Sequence, residues 1–149
     1  MPTLHEEGDP IPGLETAVAE SPNDAQKIVA LANAYWLTGR GHEAVGELAS
    51  RAIAADPSNR AGWHLWALSE SDPRQRLTRW QQVSERFPQD DLARVNIADN
   101  AAALAGAEHD YEALDLAIAT YEQLMVTAEH REQREALDTA IRNLRGWRF

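Results

Sequence analysis

The chain has no cysteine, and thirteen of its fourteen cationic side chains are arginine, leaving Lys27 as its one lysine. Without cysteine, disulfides, thiolate metal sites and cysteine nucleophiles are excluded together, and nothing in the sequence requires an oxidising compartment. Long apolar runs are missing too: no stretch approaches the roughly 20 residues that a membrane-spanning helix needs. The opening, Met1 to Asp9, is acidic where a secretory signal is basic and then apolar. These absences make the cytoplasm the expected location. No H-E-x-x-H, Walker A, G-x-S-x-G or calcium-loop pattern occurs. Gly39-Arg40-Gly41-His42-Glu43-Ala44 fits the loose dinucleotide pattern G-x-G-x-x-A, but it follows an expected helix, whereas pyrophosphate binding needs a preceding strand. Neither an enzyme nor a cofactor or metal site is expected. His109, beside Glu108, Asp110 and Glu112, reads as a solvated loop histidine rather than a metal ligand.

What is present is the composition of a folded chain. With 44% hydrophobic and 26% charged residues over a length of 149, there is enough apolar material for one domain with a real core. The net charge of −10 disfavours phosphate backbones and anionic membranes, so neither nucleic acid nor membrane is an expected partner. Residues 1–24 carry six acids and no base, leaving the rest of the chain at about −4. Arg131, Arg134, Arg142, Arg145 and Arg148 give the last segment the opposite lean. Both biases read as solvated faces, with an electrostatic partner preference as the alternative.

Proline punctuates alanine-rich stretches at Pro22, Pro57 and Pro88, which stand 35 and 31 residues apart. A period of about 34 residues belongs to helix-turn-helix solenoids, whose hairpins bury their apolar faces by stacking. Between the prolines, apolar residues recur at i, i+3, i+4 and i+7. In the first hairpin Asn23 or Asp24 caps a helix with Ile28, Leu31, Ala32 and Tyr35 inward, and Gly39 ends it. Glu43 to Ala55 returns with Ala44, Leu48, Ala52 and Ile53 inward. The second unit starts after Asn59, breaks at Ser71-Asp72-Pro73 and returns to Phe87. The third runs from Asp91, turns near Gly106 and returns as Tyr111 to Ala128. A last helix near 130–145 carries Leu137, Ala140, Ile141 and Leu144 on one narrow stripe, as a capping helix does. Pro10, Pro12 and Gly13 make residues 1–13 an acidic, extended arm ahead of one domain over 14–149.

The stretch Ile28 to Tyr35, with Gly39, Glu43-Ala44, Ala52-Ile53 and Asp56-Pro57, resembles the repeat signature of the tetratricopeptide family. Residues 14–22 resemble the tail of a preceding repeat. Trp63, Ala67 and Pro88, and then Tyr111 and Ala113, mark two degenerate copies; one extra residue between Ala44 and Pro57 departs from the usual spacing. The resemblance implies an all-α, right-handed superhelix of antiparallel hairpins, about three repeats and a cap, whose first helices line a groove for a protein or peptide partner.

The groove positions it implies are Val29, Asn33, Trp36, His64, Leu68, Val95, Asn96, Asp99 and Asn100. A carboxamide both donates to and accepts from a ligand backbone, although Asn33, Asn96 and Asn100 fit a purely structural role equally well. Trp36 fits groove or packing. A subgroup of the family clamps acidic C-terminal tails with cations. Here Val29, Leu92 and Asn96 stand at those places, so such tails are not the expected ligand. Trp63, Trp66 and Trp80 read as one interhelix layer. Trp147 and Phe149 either fold back on the cap or form an exposed aromatic tail that docks into a partner or a second copy, the route by which a homo-oligomer would form. The expected function is that of a non-catalytic adaptor or scaffold. The alternative is an assembly chaperone or stable accessory subunit.

Overall fold

Aspartate and asparagine decide where most of the helices start. In the computed structural model, which describes residues 9–149, the described chain forms eight α-helices and no strand. They are α1 (Ile11–Glu20), α2 (Ala25–Leu37), α3 (His42–Ala55), α4 (Arg60–Leu68), α5 (Pro73–Arg86), α6 (Asp91–Glu108), α7 (Tyr111–Thr127) and α8 (Arg131–Arg145). Asp24, Asn59, Asp72, Asp90 and Asp110 each accept a hydrogen bond from a backbone N–H in the first turn of the helix that follows. Each such cap satisfies an orphan donor and contributes about 1 kcal/mol.

The chain divides between Ser71 and Asp72 into two compact units, where composition alone suggested one domain. The division falls at the turn of the second expected repeat. In the first unit α2 packs on α1 and α3, and α4 packs on both α3 and α2. Ile28, Ala32, Val45, Ala49 and Ala52 are fully enclosed there, with Ile11, Val18, Leu31, Leu48 and Leu65 around them. Burying each of the larger aliphatic side chains stabilises the fold by about 1.5–3 kcal/mol, and the alanines allow the helices to approach closely. In the second unit α6 packs on α5 and α7, and α8 packs on α7. Trp80 and Val83 of α5, Ala98 and Ala101 of α6 and Ala117 of α7 are buried.

Four expectations about the chain's organisation are corrected. The extended lead-in through Gly13 is helical from Ile11, because proline is tolerated in a first helical turn and the Asp9 carboxylate accepts from the Ile11 N–H at 3.0 Å; residues 1–8 of the acidic arm lie outside the described residues. The inward stripe of α3 is Val45, Leu48, Ala49 and Ala52, with Ala44 and Ile53 only half-buried, because the buried positions follow the i, i+3, i+4, i+7 spacing that starts at Val45. Gly106 is not a turn but lies inside α6, which runs on to Glu108. Trp63 and Trp66 are half-buried rather than core residues and meet edge to face at 5.6 Å, while Trp80 is 1% exposed.

Two helix ends use the left-handed region. Gly39 (φ 71°) closes α2, with the Arg40 N–H donating to the Tyr35 carbonyl at 2.9 Å and the Gly39 N–H to Trp36 at 3.3 Å; this is the paired bonding of a Schellman motif. At the end of α6 the left-handed position is held by His109 (φ 52°), after which the Asp110 N–H reaches back to the Ala105 carbonyl at 3.2 Å.

Candidate partner-binding surfaces

The helices of the first unit are ordered by contacts at both of their ends. The rings of Trp36, at the end of α2, and His42, at the start of α3, meet edge to face at 5.5 Å. His42 Nδ1 lies 3.1 Å from the carbonyl of Ser69, just past α4, and since a carbonyl only accepts, that nitrogen carries the hydrogen. At the other end Gly62 of α4 sits where an added Cβ would lie 3.4 Å from Ala52 of α3 and 3.7 Å from Val29 of α2. The start of α2 thus faces the start of α4, and their ends converge on His42. The two helices run side by side in the same direction.

On this pair the expected groove residues divide by burial. Val29 and Trp36 are half-buried and pack against the core cluster, so each has a structural role. Asn33, one turn from both, is exposed and makes no side-chain hydrogen bond among the described residues. Leu37, a further turn along, is 75% exposed. His64 and Leu68 of α4 are half-buried, spaced one turn apart. Sequence reasoning did not single out Leu37, whose exposure is the one signal that marks it.

The second unit treats its candidates differently. The Asn96 carboxamide donates to the Leu92 carbonyl at 2.9 Å, and that of Asn100 to the Asn96 carbonyl at 2.7 Å, both back along α6. Arg76 Nε donates to Asn100 Oδ1 at 2.8 Å, which fixes the orientation of that amide. Asp99 accepts from the Tyr121 hydroxyl at 2.5 Å, tying α6 to α7. Burial first, and then the Asp99 carboxylate, hold the Tyr121 phenol well above its ordinary pKa. Val95 is half-buried. Asn96, Asp99 and Asn100 are therefore engaged within the fold.

The acidic residues beside His109 find a cation that the sequence did not point to, Arg74 at the start of α5. Arg74 Nη2 donates to Glu108 at 2.7 Å and Asp110 at 3.0 Å. Asp110 also accepts from the N–H groups of Glu112 and Ala113. The guanidinium, followed by these N–H donors, holds the Asp110 carboxyl below its ordinary pKa. Arg74 lines two clefts, of about 290 and 250 Å³; Pro73, Ala103, Leu104 and Ala107 supply the apolar lining of the larger, and Arg76 and Asn100 part of its polar edge. Arg74 stands 34 and 36 residues from Glu108 and Asp110, so nothing local announces the pairing.

Trp147 and Phe149 are expected either on the cap or in an exposed tail. They fold back over the junction of α6 and α7, where the Phe149 N–H donates to the Tyr111 hydroxyl oxygen at 2.9 Å. Among the described residues no helix is long and apolar enough to cross a membrane. In comparisons with known proteins, the chain matches no family model and no curated protein.

Proposed function

We propose that the chain is a non-catalytic helical-repeat module of tetratricopeptide type, its hairpins stacked as a right-handed superhelix, that binds a segment of a partner protein in the cytoplasm as an adaptor or scaffold. The observation that carries this reading is the seating of α4 against both helices of the preceding hairpin, which is how such repeats extend. The resemblance over Ile28 to Pro57 adds to it. Within the first unit the binding surface is the outward face of α2 and α4, with Asn33 as the free carboxamide, Leu37 as an exposed apolar contact, and His64 and Leu68 beside them. A mixed apolar and carboxamide face suits an amphipathic or extended segment.

The test is chemical cross-linking and capture from the native lysate with the wild-type chain and with Asn33→Ala/Leu37→Ser. Both substitutions fall on exposed side chains, so helical circular dichroism and melting should be unchanged. The reading predicts a partner that the wild type recovers and the variant loses. Recovery of one partner in equal proportion by both baits would move the interface off this face and make the chain a stable subunit of a larger assembly.

A further inference from the structure

Two local rules of helix construction are broken within four residues, and both breaches meet the same segment. Gly106 stands inside α6, where glycine is less favourable than alanine. Three residues later His109 takes the left-handed position (φ 52°) that glycine fills without strain and other residues fill at a cost. Exchanging the two residue types would satisfy both rules. Both residues lie against residues 147–149. A Cβ at Gly106 would stand in ordinary van der Waals contact with the Trp147 ring, at 3.4 and 3.5 Å, so the indole lies directly over the glycine. The His109 imidazole lies parallel to the Phe149 ring, with centroids 5.0 Å apart and planes inclined by 8°. Tyr111 completes the seat, its ring 4.9 Å from that of Phe149 and its hydroxyl oxygen accepting the Phe149 N–H at 2.9 Å. Local rules broken together at one place mark a position shaped for something other than the helix itself.

We infer that the junction of α6 and α7, formed by Gly106, His109 and Tyr111, is a docking site for an aromatic-x-aromatic peptide segment, held closed by the chain's own Trp147-Arg148-Phe149 and opened by a partner segment of the same chemistry. The chain's own segment displays the recognition: an indole over a glycine, one residue of spacing, then a phenyl ring on an imidazole with its backbone N–H on a phenol. Its hold is light. Phe149 remains 42% exposed and Tyr111 47%, and residues 147–149 lie past the end of α8. The Arg148 guanidinium turns back to the carbonyls of Arg145 and Trp147 and leaves the two rings to make the contact. This site is separate from the face of α2 and α4, and its test does not depend on that reading.

The experiment uses the full chain and a capped Gly-Trp-Arg-Phe peptide, followed by amide chemical shifts as the peptide is raised into the millimolar range. In Trp147→Ala/Phe149→Ala the seat is open, and shifts are expected at Gly106, His109 and Tyr111. The wild type should need at least about tenfold more peptide, because its own segment competes at a high effective concentration. A peptide with both aromatics replaced by alanine should shift nothing. Absence of shifts in a folded double variant, or equal binding by variant and wild type, overturns the proposal. If the double variant does not fold, Phe149→Ala alone opens the half formed by His109 and Tyr111, and an Ala-Arg-Phe peptide reads it by the same criteria. Sedimentation that finds a wild-type dimer abolished by the double substitution would make the occupant a second copy and overturn the partner form of the inference.

Discussion

The Tyr121 hydroxyl donates to the Asp99 carboxylate at 2.5 Å across the α6–α7 hairpin. The partly buried phenol is held neutral, its pKa raised above the ordinary 10.0 by burial and then by Asp99. Below pH 10 the folded and unfolded chains both keep the proton, so the bond contributes in full. As pH rises past 10 the unfolded phenol ionises first, and stability falls until the folded one follows. Thermal melts between pH 8 and 11 should therefore show an alkaline decline that is shallower in Tyr121→Phe. Equal slopes would mean that the bond is not held in solution.

Arg74 and Asp110 give the opposite dependence. The Asp110 pKa lies below the ordinary 3.8, chiefly through the Arg74 hydrogen bond, so its contribution is complete above that value and is lost as pH falls through it toward the folded pKa. Denaturant midpoints measured at pH 7 and pH 3 should differ less in Arg74→Gln than in the wild type.

Gly46 packs against Ser69, which is 5% exposed. A Cβ at Gly46 would stand 2.9 Å from Ser69 Oγ, and that hydroxyl is held by its bond to the Trp66 carbonyl at 2.9 Å. The clash costs about 1–3 kcal/mol against about 1 kcal/mol gained in helix propensity. Gly46→Ala should destabilise the wild type, yet be neutral or stabilising in a Ser69→Ala background. Urea unfolding of the four chains in this cycle measures the coupling.

His109 offers a comparison of two small residues. Both His109→Ala and His109→Gly remove the stack on Phe149, but only glycine also relieves the left-handed backbone. The glycine variant should be the more stable by about 1 kcal/mol, the reverse of the order inside a helix. The difference in urea midpoint decides it.

Much of the helix pattern was legible in the residues themselves. Asp24, Asn59 and Asp72 mark helix starts by their chemistry, and Gly39 marks an end because glycine takes the left-handed position without strain. What stayed hidden depends on residues far apart. Gly106 resembles a turn until Trp147 is seen against it. Pro12 suggests an extended arm until Asp9 is seen to support the first turn of α1. Asn96 and Asn100 look like ligand-binding carboxamides until their bonds to the α6 backbone are traced, whereas Asn33, with the same side chain, makes none among the described residues. Burial and bonding separate them, and neither is a property of the residue type.

The caps of the helices also change what the chain's acidity signifies. Asp24, Asp72, Asp90 and Asp110 each place a carboxylate on the N–H groups at the start of a helix, where the positive end of the macrodipole lies. Part of the negative charge is thus punctuation: it separates helix from turn. Counted as an electrostatic message to partners, the net charge overstates what the surface has to say, since these four carboxylates are already answered by the backbone they serve.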